Sequence, residues 1–184
     1  MTTPVLPEAV VFIATSLDGF IARPDGALDW LPEPDDAEDY GYAAFMASVD
    51  ALVMGRATFD VVRSFGAWPY GDTRVVVLTR RPLPDDSPAT VSASALEPEP
   101  LLRQLGADGI QRVYVDGGRT IQRFLRAGLI GDLIVTRVPV LLGEGIPLFG
   151  ALPHDVPLTH VETKSFANGL VQSRYHVGPD AGVT

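Results

Sequence analysis

Three short stretches combine glycine, arginine and threonine in the way a polyphosphate site requires. Arg112-Val-Tyr-Val-Asp-Gly-Gly-Arg119 reads as a strand, two glycines and the first turn of an amphipathic helix. Glycine lets the backbone approach a bound diphosphate, and the free amides and positive dipole end of a helix start stabilise its charge. The plain alternative is a strand-to-helix turn with no ligand, since paired glycines are ordinary turn formers, and this stretch alone leaves the two level. Leu52-Val-Met-Gly-Arg-Ala-Thr-Phe59 has the same order of strand, glycine and helix start: Gly55 permits close approach, Arg56 offers phosphate a fork of donors, and Thr58 adds a hydroxyl. In Val77-Leu-Thr-Arg-Arg81, Thr79, Arg80 and Arg81 sit at the carboxyl end of a buried strand, the edge where open α/β sheets collect ligands. Arginines at two strand ends of an acidic chain reverse the charge locally and could receive an extra phosphate on an adenosine ribose. For any one of them, a solvated surface charge is the simpler reading.

Such turns work only if a sheet holds them at one edge. Val10–Thr15, Ala51–Met54, Arg74–Leu78, Arg112–Val115 and Asp132–Val138 are short runs rich in Val, Ile and Leu, bounded by turn residues or charges, and are predicted to form a buried sheet. Tyr42, Phe45, Met46 and Val49 recur at helical spacing, which predicts a helix beginning near Asp36. Two more helices are expected, at Pro100–Leu105 with Gly106 as its stop and at Arg119–Ala127 with Gly128 as its stop. Leu158–Phe166 and Leu170–Val177 flank an Asn168-Gly169 pair, which predicts a hairpin with both turn residues at positive φ. Pro32–Asp39 and Pro82–Pro88 read as loops. The expected fold is a three-layer α/β/α domain with a mixed sheet, mostly parallel with an antiparallel edge.

The composition narrows the function. The 184 residues, 46% hydrophobic and 20% charged, suit one domain, its core spanning about residues 9–178. Fourteen Lys and Arg against 23 Asp and Glu give a net charge of −9, which disfavours nucleic acid and anionic membrane surfaces as partners. The chain has no cysteine, so thiolate nucleophiles and zinc–thiolate sites are excluded. His154, His160 and His176 lack metal-ligand spacing, so no metal is assigned. Neither a leader-like start nor a run of about 18 apolar residues is present, and the cytoplasm is the expected compartment.

The ordered series Ala14-Thr-Ser-Leu-Asp-Gly19, Met54-Gly-Arg-Ala-Thr58, Thr79-Arg80-Arg81 and Asp116-Gly-Gly-Arg119 resembles the dihydrofolate-reductase-like superfamily, and its first member is most similar to the reductase domain of riboflavin biosynthesis. The similarity runs from Val10 to Val177 and includes Val138-Pro-Val-Leu-Leu-Gly-Glu-Gly-Ile-Pro-Leu-Phe149. It implies that Ala14 lies beside a nicotinamide. It implies further that Gly55, Arg56 and Thr58 reach the diphosphate, that Thr79 and Arg80 hold the adenosine ribose phosphate, and that Gly117, Gly118, Arg119 and Thr120 complete the cofactor site. NADPH is the implied cofactor, hydride transfer to a small heterocyclic or sugar-derived substrate the implied reaction, and Asp116 is implied to face the substrate. Where riboflavin-type reductases carry an Asp-Asn-Pro-type segment after the Gly-x-x-Thr element, this chain has Ser64-Phe-Gly-Ala-Trp-Pro-Tyr-Gly71.

A carboxyl group beside the hydride acceptor can hold a proton through burial and pass it to the product. Trp30-Leu31-Pro32 followed by Asp35 is similar to the dihydrofolate reductase approach to its substrate acid, whereas counting back from Met54-Gly55 selects Asp39. Asp18, in the turn after the first strand, is the other catalytic candidate. Each has a plain alternative: Asp35, Asp36 and Asp39 as an acidic helix start, Asp18 as a turn residue. Trp30, Trp68 and Tyr70 could wall a flat substrate by stacking, or fill a core. Two rivals to a stand-alone reductase of the riboflavin type stay open: a true dihydrofolate reductase, and a non-catalytic NADP-binding module. The apolar hairpin residues Leu158, Val161, Phe166, Leu170 and Val171 are expected to be exposed at an edge that pairs with a second copy as a homodimer.

Overall fold

The computed structural model describes residues 6–33 and 38–178. Eight strands form one sheet: β1 (Glu8–Ser16), β3 (Ala51–Gly55), β4 (Arg74–Leu78), β5 (Val91–Ser94), β6 (Arg112–Asp116), β7 (Ile130–Val138), β9 (Leu158–Ser165) and β10 (Val171–Val177). Their order is β5-β4-β3-β6-β1-β7-β10-β9. All neighbours from β5 to β7 are parallel, while β10 runs antiparallel to both β7 and β9. A separate ribbon pairs β2 (Phe20–Ala22) with β8 (Ile146–Pro147).

Helices cover both faces, which makes the central strands apolar throughout. On one side α1 (Tyr42–Ala47) and α2 (Arg56–Arg63) lay Phe45, Phe59 and Val62 on Val10, Leu52, Met54 and Tyr114. On the other, α3 (Pro98–Ala107) and α4 (Gly118–Arg126) lay Leu101, Leu105, Ile121 and Phe124 on Val11, Val53 and Val115. The mixed three-layer expectation is met. Among the described residues no helix is long and apolar enough to cross a membrane.

Four local expectations need correction. The first helix starts at Tyr42 and not near Asp36, because Tyr40 (φ 56°) and Gly41 (φ 83°) are left-handed and cannot extend it; Asp36 itself lies outside the described residues. Val49 follows that helix and is buried all the same. The third helix runs through Gly106 and stops at Gly109 (φ 87°), where the Ile110 amide donates to the Leu105 carbonyl (3.1 Å), the closing bond of a glycine C-cap. In the hairpin only Gly169 has positive φ (88°). There the Phe166 and Leu170 backbones bond across a three-residue loop, and Asn168 accepts from the Leu170 amide through its side chain. Of the five hairpin residues expected at the surface, only Leu158 and Val161 are exposed: Leu170 is buried, Val171 half-buried, and Phe166 packs edge-on against Tyr40 at 4.9 Å. The short β2, β5 and β8 were not anticipated, being too brief to show a period.

Candidate functional site

Strands β3 and β6 are neighbours in register, Met54 opposite Asp116, so the turns that follow them emerge side by side at the carboxyl edge. Gly55 opens α2 and Gly117 opens α4. Each glycine faces the other helix's third residue. A Cβ on Gly117 would lie 2.3 Å from Thr58 Oγ1, and one on Gly55 would lie 3.0 Å from Thr120 Oγ1. Gly117 also takes φ 91° and ψ 134°, a conformation that side chains rarely adopt. The two helix starts therefore touch at one edge of the sheet, α2 on one face and α4 on the other, and each brings the positive end of its dipole and its free first-turn amides to that edge. The sequence carries the signal as a repeat not used in the expectations: Gly117-Gly-Arg-Thr120 has the Gly-x-x-Thr spacing of Gly55-Arg-Ala-Thr58.

The remaining expected cofactor residues extend along the same edge. Arg56 reaches toward the loop after β4, pairing with Asp60 (2.8 Å) and donating to the Pro82 carbonyl (3.0 Å). Thr79 and Arg80 line a cavity of about 270 Å³ with Ser94, Glu97 and Arg123, at the carboxyl ends of β4 and β5. The Thr79 hydroxyl accepts from the Arg81 amide (3.0 Å). Arg119 is exposed on the first turn of α4, and Thr120 is buried there. At the other end Ala14 is half-buried on β1, the next strand past β6. Gly118 packs beneath the ribbon, since its Cβ would meet Ile21 at 3.0 Å and the Pro147 carbonyl at 3.1 Å.

Asp116 closes β6 on the face covered by α1 and α2. Its carboxylate accepts from the Gly117 amide (2.8 Å). Burial pushes the carboxyl up to about 6, well above an ordinary aspartate, with the amide bond opposing. Tyr42 is pushed up to about 12 and Tyr70 higher still, each first by its own burial and then by the nearby charge of Asp116. Trp68 meets Tyr70 edge-on at 5.2 Å, and Tyr42 packs on Phe12 at 5.7 Å. An aromatic wall thus stands beside a carboxyl group able to hold a proton near neutral pH. Tyr42 was not singled out as a site residue, because its helical spacing marked it only as core.

The two carboxylates expected to be catalytic are placed otherwise. Asp18 accepts from the Ser16 hydroxyl (2.6 Å) and from the amides of Leu142 (3.2 Å) and Gly143 (2.8 Å). These bonds, the hydroxyl first, hold it below the usual carboxylate range. It is a clasp between the turn after β1 and the segment after β7, kept ionised where a donor needs a proton. Asp39 accepts from Ala43 (2.8 Å) and Gly41 (2.9 Å), which lower its pKa in that order and make it the acceptor for the first turn of α1. Trp30 is half-buried, its indole N–H without an acceptor among the described residues; Asp35 lies outside them. For Asp18→Ala, amide hydrogen exchange at Leu142 and Gly143 should accelerate by roughly tenfold or more as the clasp opens, while β6 amides stay protected. Unchanged exchange at Leu142 and Gly143 would contradict the clasp.

Comparison with known proteins agrees with this fold. The Bacillus subtilis (strain 168) protein YwjB, whose own role is uncharacterized, is 34% identical over 167 residues, covering 89% of this chain and 94% of that one. A candidate riboflavin biosynthesis protein of Shewanella sp. PV-4 superposes with a TM-score of 0.87 at 40% identity, covering 94% of this chain and 99% of that one. The diaminohydroxyphosphoribosylaminopyrimidine deaminase/5-amino-6-(5-phosphoribosylamino)uracil reductase of Thermotoga maritima shares the fold at 19% identity, with a TM-score of 0.71 and coverage of 94% of this chain and 57% of that one. Residues 7–172 match the RibD C-terminal domain, and the chain belongs to that family.

Proposed function

We propose that this chain is an NADPH-dependent reductase that directs hydride to an electron-poor carbon of a small heterocyclic or sugar-derived substrate, with Asp116 donating the accompanying proton. The observation that carries the reading is the pair of adjoining Gly-x-x-Thr helix starts beside a desolvated acid. The dinucleotide fits the chain's own geometry. A side chain at Gly117 would collide with the Thr58 hydroxyl, two helix starts meet at one sheet edge, and Thr79 with Arg80 lines a cavity one strand further along. When bound, NADPH supplies the hydride.

The residues do the rest. The α2 and α4 amides hold the diphosphate. Arg80 and Thr79 take the ribose phosphate that separates NADPH from NADH. The half-buried Ala14 leaves space for the nicotinamide next to Asp116. Tyr42, Tyr70 and Trp68 orient the substrate and keep water from the acid, and Asp116 holds a proton at its carboxyl oxygen until the reduced atom takes it.

Arg80→Ala is the direct test of the cofactor assignment. Loss of a charge-assisted bond worth about 1.5–3 kcal/mol should raise the Kd for NADPH by about 10- to 150-fold, while the Kd for NADH moves less than about twofold. Equal weakening of both, read by calorimetry, would reject the role. The chain is also proposed to assemble as a homodimer through β9, an edge strand with Leu158 45% and Val161 41% exposed. Val161→Lys should then shift the mass measured by light scattering from dimer to monomer, and a wild type that is monomeric at high concentration would remove this part.

A further inference from the structure

The chain's cations are distributed so that the substrate side of the cleft has none free. All 14 Lys and Arg fall within the described residues. Five serve the cofactor ridge: Arg56 and Arg80 as above, Arg81 next to Arg80, Arg119 on the first turn of α4, and Arg123, which pairs with Glu97 (3.0 Å). Arg74 and Arg112 begin β4 and β6, so they stand at the opposite end of the sheet, paired with Asp108 and Glu8. Arg103 and Arg126 ride on α3 and α4, and Arg137 is exposed one residue after Thr136 on β7. Since Phe12 and Ile134 share the α1 face, Arg137 takes the other face.

Lys164 and Arg174 lie on the far hairpin, paired with Glu162 and Asp132. Four strand spacings separate β9 from β6, about 19 Å, too far for a lysine to reach Asp116. Two cations remain in segments flanking the cleft, and each faces a carboxylate at the surface: Arg23 pairs with Asp29 at 2.6 Å, and Arg63 with both oxygens of Asp86 at 2.7 Å.

Near Asp116 stand the half-buried Tyr42 and the buried Tyr70, with Trp68 against Tyr70, and the segment 64–73 that carries Trp68 and Tyr70 holds no basic residue. A phosphate there would bring about two negative charges into a partly desolvated site that already carries a carboxyl group. A flat ring, in contrast, can pack on the half-buried Tyr42 and Trp68, and a ring N–H or amino group finds an acceptor in Asp116. We propose that the substrate bound beside Asp116 is a planar nitrogen heterocycle without a phosphate group, neutral or protonated. This deepens the reductase reading and rests on it. It also sets the chain apart from the Thermotoga maritima enzyme, whose named substrate is phosphoribosylated.

A matched pair of probes tests it without requiring turnover: 5-amino-6-(ribosylamino)uracil and its 5′-phosphate, titrated into the full chain with NADP⁺ present and read by calorimetry. The unphosphorylated compound should bind at least tenfold more tightly. Equal or tighter binding of the phosphate ester would overturn the proposal, and so would failure of both compounds to bind. NADPH titrated alone separates the two levels. If it binds while the probe order is reversed, only the substrate class is wrong; if it does not bind, the reductase reading itself has failed.

Discussion

Replacing Gly117 with alanine should destabilise the protein by about 2–6 kcal/mol and abolish measurable dinucleotide binding. Two costs add. An L-residue held at φ 91° carries strain of about 1–3 kcal/mol. The new methyl group would sit 2.3 Å from Thr58 Oγ1, and forcing an extra methyl group into a packed site costs about 1–3 kcal/mol more. The parts can be separated. Thr58→Ala removes the hydroxyl and leaves the Thr58 Cβ position at an ordinary 3.4 Å. The double variant should therefore recover the clash but not the backbone strain, regaining about half the lost stability in urea unfolding. A Gly117→Ala protein as stable as wild type would mean the helix starts are not locked in this way.

Asp116→Asn should separate activity from stability. Removing the proton donor is expected to lower kcat by about 10²- to 10⁴-fold while leaving the Kd for NADPH within about twofold. In the wild type the donor must be protonated, so activity should decline as pH rises through about 6, and the variant should lose that limb. Stability should move the other way. The folded-state pKa lies above the ordinary 3.8, so between about pH 4 and 6 the folded protein keeps a proton that the unfolded chain has released. The contribution of Asp116 to stability thus falls as pH rises across that window, and above it the buried charge carries its full cost. At pH 7 the variant should be more stable by about 1–3 kcal/mol, and near pH 4 by almost nothing. A variant equally stable at both pH values, or one that retains activity, would remove Asp116 from the mechanism.

Much of this architecture was visible in the sequence, for identifiable reasons. Buried parallel strands read as unbroken Val, Ile and Leu runs, and β4 was placed to the residue. The α4 stop at Gly128 was also legible, because Gly128 at φ 67° is the position a closing helix demands. The start of α1 was not. Nothing in the local pattern reveals that Tyr40 will be left-handed, a conformation supported by contacts over a hundred residues away: Asn168 Nδ2 donates to its hydroxyl (2.7 Å) and Gln172 Nε2 to its carbonyl (3.0 Å).

The site divides along the same line. Residues at strand ends, from Gly55 to Arg80 and Asp116, follow from the order of strands. The role of each carboxylate depends instead on what packs around it. Asp18 lies in the turn after β1 and Asp116 ends β6, yet one is stapled by two distant amides and a hydroxyl while the other accepts from the neighbouring Gly117 amide and is desolvated. That difference separates an ionised clasp from an acid, and no spacing rule encodes it.

The decisive observation is where the protein's backbone responds when NADPH is added. In an amide NMR titration, the signals of Gly55, Arg56 and Ala57 and those of Gly117, Gly118 and Arg119 should shift together with a single micromolar Kd, because both helix starts grip one diphosphate. Binding that leaves either set unmoved, or no binding at millimolar NADPH, would contradict the account.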